Sequence, residues 1–168
     1  MAAGESAGGH LAALLGVTAH DKSLQPGFEE ADTSVQGVVD LFGVHDFTDH
    51  RQFFANRDDG NFLDFIEQVV MQRRKHKHPQ AFHDASPVHR LPSAPVVPPF
   101  LIVHGEVDTL VPVEDARHFY SALCRKRRAE HRVAAVEAAR VAMKRGATAE
   151  EAAALLEDGW DEIPDVYV

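Results

Sequence analysis

The chain has 168 residues, a mass of 18.5 kDa, 45% hydrophobic residues and a formal net charge of −9, which suits one domain with a core of useful size. The charge argues against nucleic acid or an anionic membrane surface as the main partner, and a single cysteine, Cys124, excludes an internal disulfide. No stretch approaches the ~20 apolar residues of a membrane span and no basic region followed by an apolar core opens the chain, so a soluble, cytoplasmic protein is expected.

Near the start, Gly4, Ser6 and Gly8 spell G-x-S-x-G immediately before an apolar helical run, Ala7 to Leu15. This is the pattern of a nucleophile elbow, where a serine sits on a tight strand-to-helix turn and its flanks carry no bulky side chain. Ser6 is then the candidate nucleophile, and Gly4 and Gly8 supply the small flanks. The backbone N–H of Ala7, at the positive end of the helix dipole, is the candidate oxyanion donor. Without the motif, the same residues read as an ordinary small-residue turn before a helix.

Thr18 to Ser34 is a polar connection with Pro26 and Gly27, and Val38 to Gly43 reads as a short buried strand. His45 and Asp46 follow it and read as loop polarity at a strand end. From about 49 to 80, Phe53, Phe54, Phe62, Phe65, Ile66, Val69 and Val70 recur largely at three and four among charges, which predicts an amphipathic helical insertion.

Residues 72–89 hold His76, His78, His83 and His89, and the H-x-H spacing raises metal binding. No cysteine lies nearby and the basic run Arg73 to Lys77 would repel a cation, so a solvated basic loop is expected, with no metal site and no cofactor. After the proline-rich linker Leu91 to Pro99, Phe100 to His104 is the clearest strand in the chain. Asp108 alone reads as a turn aspartate capping a helix that begins near Val113. That helix runs from Pro112 to Leu123, with Ala116, Phe119, Tyr120 and Leu123 on one face.

Gly4-Glu-Ser-Ala-Gly-Gly-His-Leu-Ala12 closely resembles the nucleophile segment of α/β-hydrolase carboxylesterases related to hormone-sensitive lipase and the bacterial arylesterases. Pro98 through Ala116 resembles the late strand and acid loop of the same family. The resemblance covers roughly residues 4–123. It implies an α/β fold, a partial α/β-hydrolase with an incomplete, mostly parallel sheet and flanking helices in residues 1–123; outside it, residues 124–168 read as a helical tail of unrecognised origin. It also implies hydrolysis of a small carboxylic ester through an acyl-enzyme on Ser6, with Asp108 as the triad carboxylate and Glu106 as its nearest competitor. The 49–80 insertion would act as a cap-like lining of the acyl pocket, or pack plainly on the sheet.

Two parts of that family's machinery are missing from the expected places. The catalytic histidine belongs about thirty residues past the aspartate, after a further strand, yet Val133 to Arg145 contains none. His131 and His118 are the substitutes to consider, and neither is expected to act. No H-G-G-G type oxyanion segment occurs either. Impaired ester hydrolysis is therefore expected. The alternative is a non-catalytic fragment, or an interaction module whose acidic helical tail binds a partner.

That tail reads as a helix from His131 to Arg145 with Val133, Val136, Ala139, Val141 and Met143 on a broad apolar face, stopped by Gly146. Thr148 to Glu151 spells a capping box for a second helix through Glu157. Cys124, beside Arg125 to Arg128, reads as an ordinary free thiol.

Overall fold

The computed structural model describes residues 1–56, 61–157 and 166–167. The chain divides into two units, Met1–Ala122 together with the strand at 166–167, and Leu123–Pro164.

In the first unit, three four-residue strands, β1 (Ala2–Glu5), β2 (Val38–Leu41) and β3 (Phe100–Val103), run parallel. Ala3 stands opposite Val39, and Val39 opposite Leu101. The two-residue β4 (Val166–Tyr167) pairs with β3, giving the order β1-β2-β3-β4. α1 (Ala7–Thr18) leaves the end of β1 and packs on the sheet through Gly9, Ala12, Ala13, Gly16 and Val17. Small residues are required there because a Cβ on Gly16 would run into Val38 and Phe100. On the α1 side, Val38, Phe100 and Ile102 are buried, whereas Leu101 and Val103 on the other face are 40% and 47% exposed. Parallel sheets are ordinarily covered on both sides; here one face is half open among the described residues.

The expected amphipathic helical insertion over 49–80 is helical only in part. The described part of the segment is built of turns, the short helix α2 (Asn61–Phe65), a π-helical turn Ile66–Val70, and the start of α3 (Pro79–Asp84). Asp49, at φ 49°, accepts the N–H groups of Phe54 and Ala55 at 3.1 and 2.9 Å, which draws the chain into a turn instead of a helix. Gln52 and Gln72 also take positive φ. The apolar residues still collect: Phe54, Ile66 and Phe82 form a core cluster with Val44, Phe47 and Val111, with Phe53, Phe62 and Met71 packed against it. Phe65, Val69 and Val70 stay exposed. α4 (Pro87–Arg90) follows α3 and leads to β3.

α5 (Val113–Lys144) is one helix of 32 residues, about 48 Å long at 1.5 Å per residue, where two separate helices were expected. It carries on through the change of composition at Cys124 because neither glycine nor proline occurs within it. Ala116, Phe119 and Leu123 are buried as their spacing predicts.

The second unit holds the remainder of α5 and α6 (Ala149–Glu157). Gly146, at φ 96°, stops α5 in a Schellman turn: its N–H donates to Met143 O at 3.1 Å, and Ala147 N–H donates to Ala142 O at 3.0 Å. The capping box forms, with Glu151 N–H donating to Thr148 Oγ1 and Thr148 N–H donating to Glu151 Oε2 at 2.8 Å. The expected apolar face does not pack as a face: Val133 is 70% exposed and Val136 and Met143 are each 51% exposed, while Ala139 is buried. No helix among the described residues is long and apolar enough to cross a membrane.

Candidate active site

Ser6 occupies the turn between β1 and α1 at φ 51° and ψ −117°, a conformation that costs an L-residue of order 1–3 kcal/mol. The turn is held from both sides. Ser6 N–H donates to Leu41 O at 2.9 Å, and Ser6 O accepts the N–H of His10 at 3.0 Å. The hydroxyl makes no capping bond to α1, and the residue is exposed. Ala7 is the first residue of α1, so its N–H lies at the helix end where partial positive charge collects.

The two motif glycines differ in what they do. A Cβ on Gly4 would overlap the carbonyl of Gly8, so the turn closes only with glycine at position 4. A Cβ on Gly8 would meet nothing within 4 Å, so the expected demand for a small residue there is not observed. The close approach falls one position later: a Cβ on Gly9 would strike the carboxylate of Asp40.

Asp40 belongs to a network that sequence reading missed. The side chains of Asp40 and His45 are fully buried, and that of Asp115, in the first turn of α5, is nearly so. His45 donates from Nε2 to Asp40 Oδ2 at 2.5 Å, and from its backbone N–H and Nδ1 to Asp115 Oδ2 at 2.7 and 3.0 Å. Burial alone would favour the neutral ring; the hydrogen bonds and charges of Asp115 and Asp40 outweigh it, and the His45 pKa is pushed up to about 9. His45 is therefore a buried cation rather than loop polarity. Asp46 is likewise fixed, accepting the N–H groups of Thr48 and His50 and pairing with His89 at 3.1 Å. One signal for the network lay in the sequence: an aspartate inside a buried apolar strand needs a partner.

His10 stacks on Phe47 with centroids 4.3 Å apart and donates from Nδ1 to Val44 O at 2.7 Å. Burial, only partly opposed by that bond, lowers its pKa.

Asp108 lies on the loop after β3. Its Oδ1 accepts the N–H groups of Leu110 and Val111 at 2.8 and 2.9 Å, and Oδ2 lies 3.5 Å from Nε2 of the buried His104. It thus caps its own loop; α5 starts later, at Val113. Ser6 and Asp108 both follow the carboxyl ends of parallel strands with β2 between them. At about 4.8 Å per strand step this sets β1 and β3 roughly 10 Å apart, on the sheet edge where open α/β sheets bind ligands. Glu106 is a surface group paired with Arg117 at 3.2 Å.

The substitute histidines are both on α5. His118 packs edge-on against Phe53, and His131 lies in the stretch assigned to the second unit. Of the four histidines in the basic run, His83 and His89 stack at 4.5 Å, while His76 and His78 are exposed. Among the described residues no group of three or more His, Cys, Asp or Glu side chains could hold a metal ion.

Residues 1–123 match the BD-FAE family. The chain is 45% identical over 122 residues to "Esterase LipC" of Mycobacterium tuberculosis, an alignment covering 72% of this chain and 29% of LipC. It is 42% identical over 120 residues to "Probable carboxylic ester hydrolase LipM" of the same organism, covering 71% of this chain and 26% of LipM. Among solved structures, a bifunctional GH43-CE protein of Bacteroides eggerthii is similar with a TM-score of 0.56 and 27% identity, over 74% of this chain and 18% of that one. The chain spans less than a third of the length of these curated relatives. The matched stretch contains β1 to β3, α1, the Ser6 turn and the Asp108 loop, and on this footing the chain belongs to the BD-FAE family, its first unit being a partial α/β-hydrolase fold.

Proposed function

We propose that the first unit is the nucleophile-and-acid part of a carboxylic-ester hydrolase acting on small esters in the cytoplasm. The observation that carries this reading is the backbone of Ser6: a non-glycine residue held at φ 51° and ψ −117° with its side chain free of any capping duty. Ser6 Oγ attacks the ester carbonyl, forming a new ester with the serine, and the leaving alcohol takes up the proton. The Ala7 N–H stabilises the oxyanion, and water then releases the acid. Asp108 is the carboxylate that would orient a general base and stabilise its protonated form.

Turnover by this chain is slow in this reading, because loss of the base costs on the order of 10⁶ in kcat and both later histidines sit on a helix. The second reading is a non-catalytic module. It is favoured by the absence of any histidine from the stretch Val133 to Arg145, where the general base is expected. Hydrolysis of a short-chain p-nitrophenyl ester by the full chain, beside Ser6→Ala, separates the two. A rate lost with Ser6 supports the hydrolase; equal rates leave the module.

A further inference from the structure

We propose that Asp40, His45 and Asp115 act together as a positioning device for the Ser6 turn: the ring of His45, clamped between two carboxylates, fixes residues 41–45, whose carbonyls hold Ser6 and His10. The contacts run without a gap. Leu41 O takes the Ser6 N–H at 2.9 Å and Val44 O takes the His10 ring N–H at 2.7 Å. Between them Phe42 adopts φ 46°, and Gly43 N–H donates to Asp40 Oδ1 at 2.9 Å. The same Asp40 oxygen fills the space beside Gly9 that a Cβ would need. Asp115 brings the first turn of α5 onto the other side of His45, whose ring stacks on Phe119 at 4.5 Å.

A short turn containing a positive-φ residue has several alternatives, and two charged bonds on His45 leave it one. The titratable groups facing His45 are Asp40 from β2, Asp115 from α5 and His10 from α1. Only the consequence for catalysis rests on Ser6 as nucleophile; the coupling from His45 to the turn stands without it.

The test is a pH titration of the ¹⁵N-labelled full chain by NMR, following the His45 ring nitrogens and the backbone amides of Ser6 and His10. In the unaltered protein the His45 ring and the amides of Ser6 and His10 are expected to shift together as pH rises through about 9. In Asp115→Asn a side-chain oxygen still accepts the His45 N–H groups but the charge is gone. The joint transition should then fall by about one pH unit or more. A His45 transition that leaves Ser6 and His10 unmoved would mean the network only anchors α5, and the proposal fails. An unshifted transition in Asp115→Asn overturns it as well. If that variant does not fold, the titration of the unaltered chain decides alone. Absence of Ser6-dependent ester cleavage would remove the hydrolase reading and leave this coupling to be judged on its own signals.

Discussion

The backbone N–H of Ser6 meets the carbonyl of Leu41 at 2.9 Å, so the residue at φ 51° and ψ −117° is fastened to the last residue of the neighbouring strand. Glycine reaches that conformation without a Cβ clash, whereas alanine carries the same strain as serine. Ser6→Gly is therefore expected to stabilise the chain by about 1 kcal/mol and Ser6→Ala to leave it nearly unchanged. Urea denaturation of the three proteins checks this; coincident midpoints for all three would show a relaxed turn.

Gly4 and Gly8 should respond in opposite senses. Gly4→Ala places a methyl group in the Gly8 carbonyl and is expected to cost about 3 kcal/mol. Gly8→Ala meets open space in the first turn of α1 and is expected to be slightly stabilising, by less than about 1 kcal/mol. Thermal unfolding followed by circular dichroism separates the pair, and similar losses in both would contradict the geometry.

Alkaline pH should weaken the fold through His45. Its pKa lies at about 9 in the folded chain against an ordinary 6.5. The stabilisation is thus complete below about pH 6.5 and is lost as pH rises through about 9. The whole effect is on the order of 3 kcal/mol. Urea midpoints measured across that range should fall in the unaltered protein and stay nearly level in His45→Gln, whatever the starting stability of the variant.

The start of α6 offers a local test. Thr148→Ala removes the acceptor for the Glu151 N–H and the hydroxyl bonded to Glu151 Oε2. Amide hydrogen exchange in α6 should accelerate while exchange in α1 is unchanged. Equal exchange in α6 before and after the substitution would mean the box contributes nothing to the helix.

What the sequence disclosed was mostly what neighbours in the chain decide. The Ser6 turn, β2, β3, the Gly146 stop and the Thr148 cap are each set within a few residues, and each is where its local pattern puts it. The 49–80 segment is helical over 61–70 and from 79 but turned near Asp49, because helical spacing of phenylalanines is also satisfied by turns that Asp49 closes, once those rings have a common core to enter. The continuity of α5 was hidden by a change of composition at Cys124 that breaks no helical rule. His45 was misread because its two partners lie 5 and 70 residues away, and no short pattern joins Asp40 to Asp115. The same distance in sequence hides which glycine is crowded: only the folded chain shows that Asp40 reaches Gly9.

The half-open side of the sheet has a cellular consequence. Leu101 and Val103 on β3 stand beside Val39 and Leu41 on β2, on a face left half open among the described residues. Exposed aliphatic rows are what chaperones bind and what proteases reach first in a late folding intermediate. How readily this unit is captured should therefore follow how well that face is covered, and a charged residue at Leu101 or Val103 should reduce the capture.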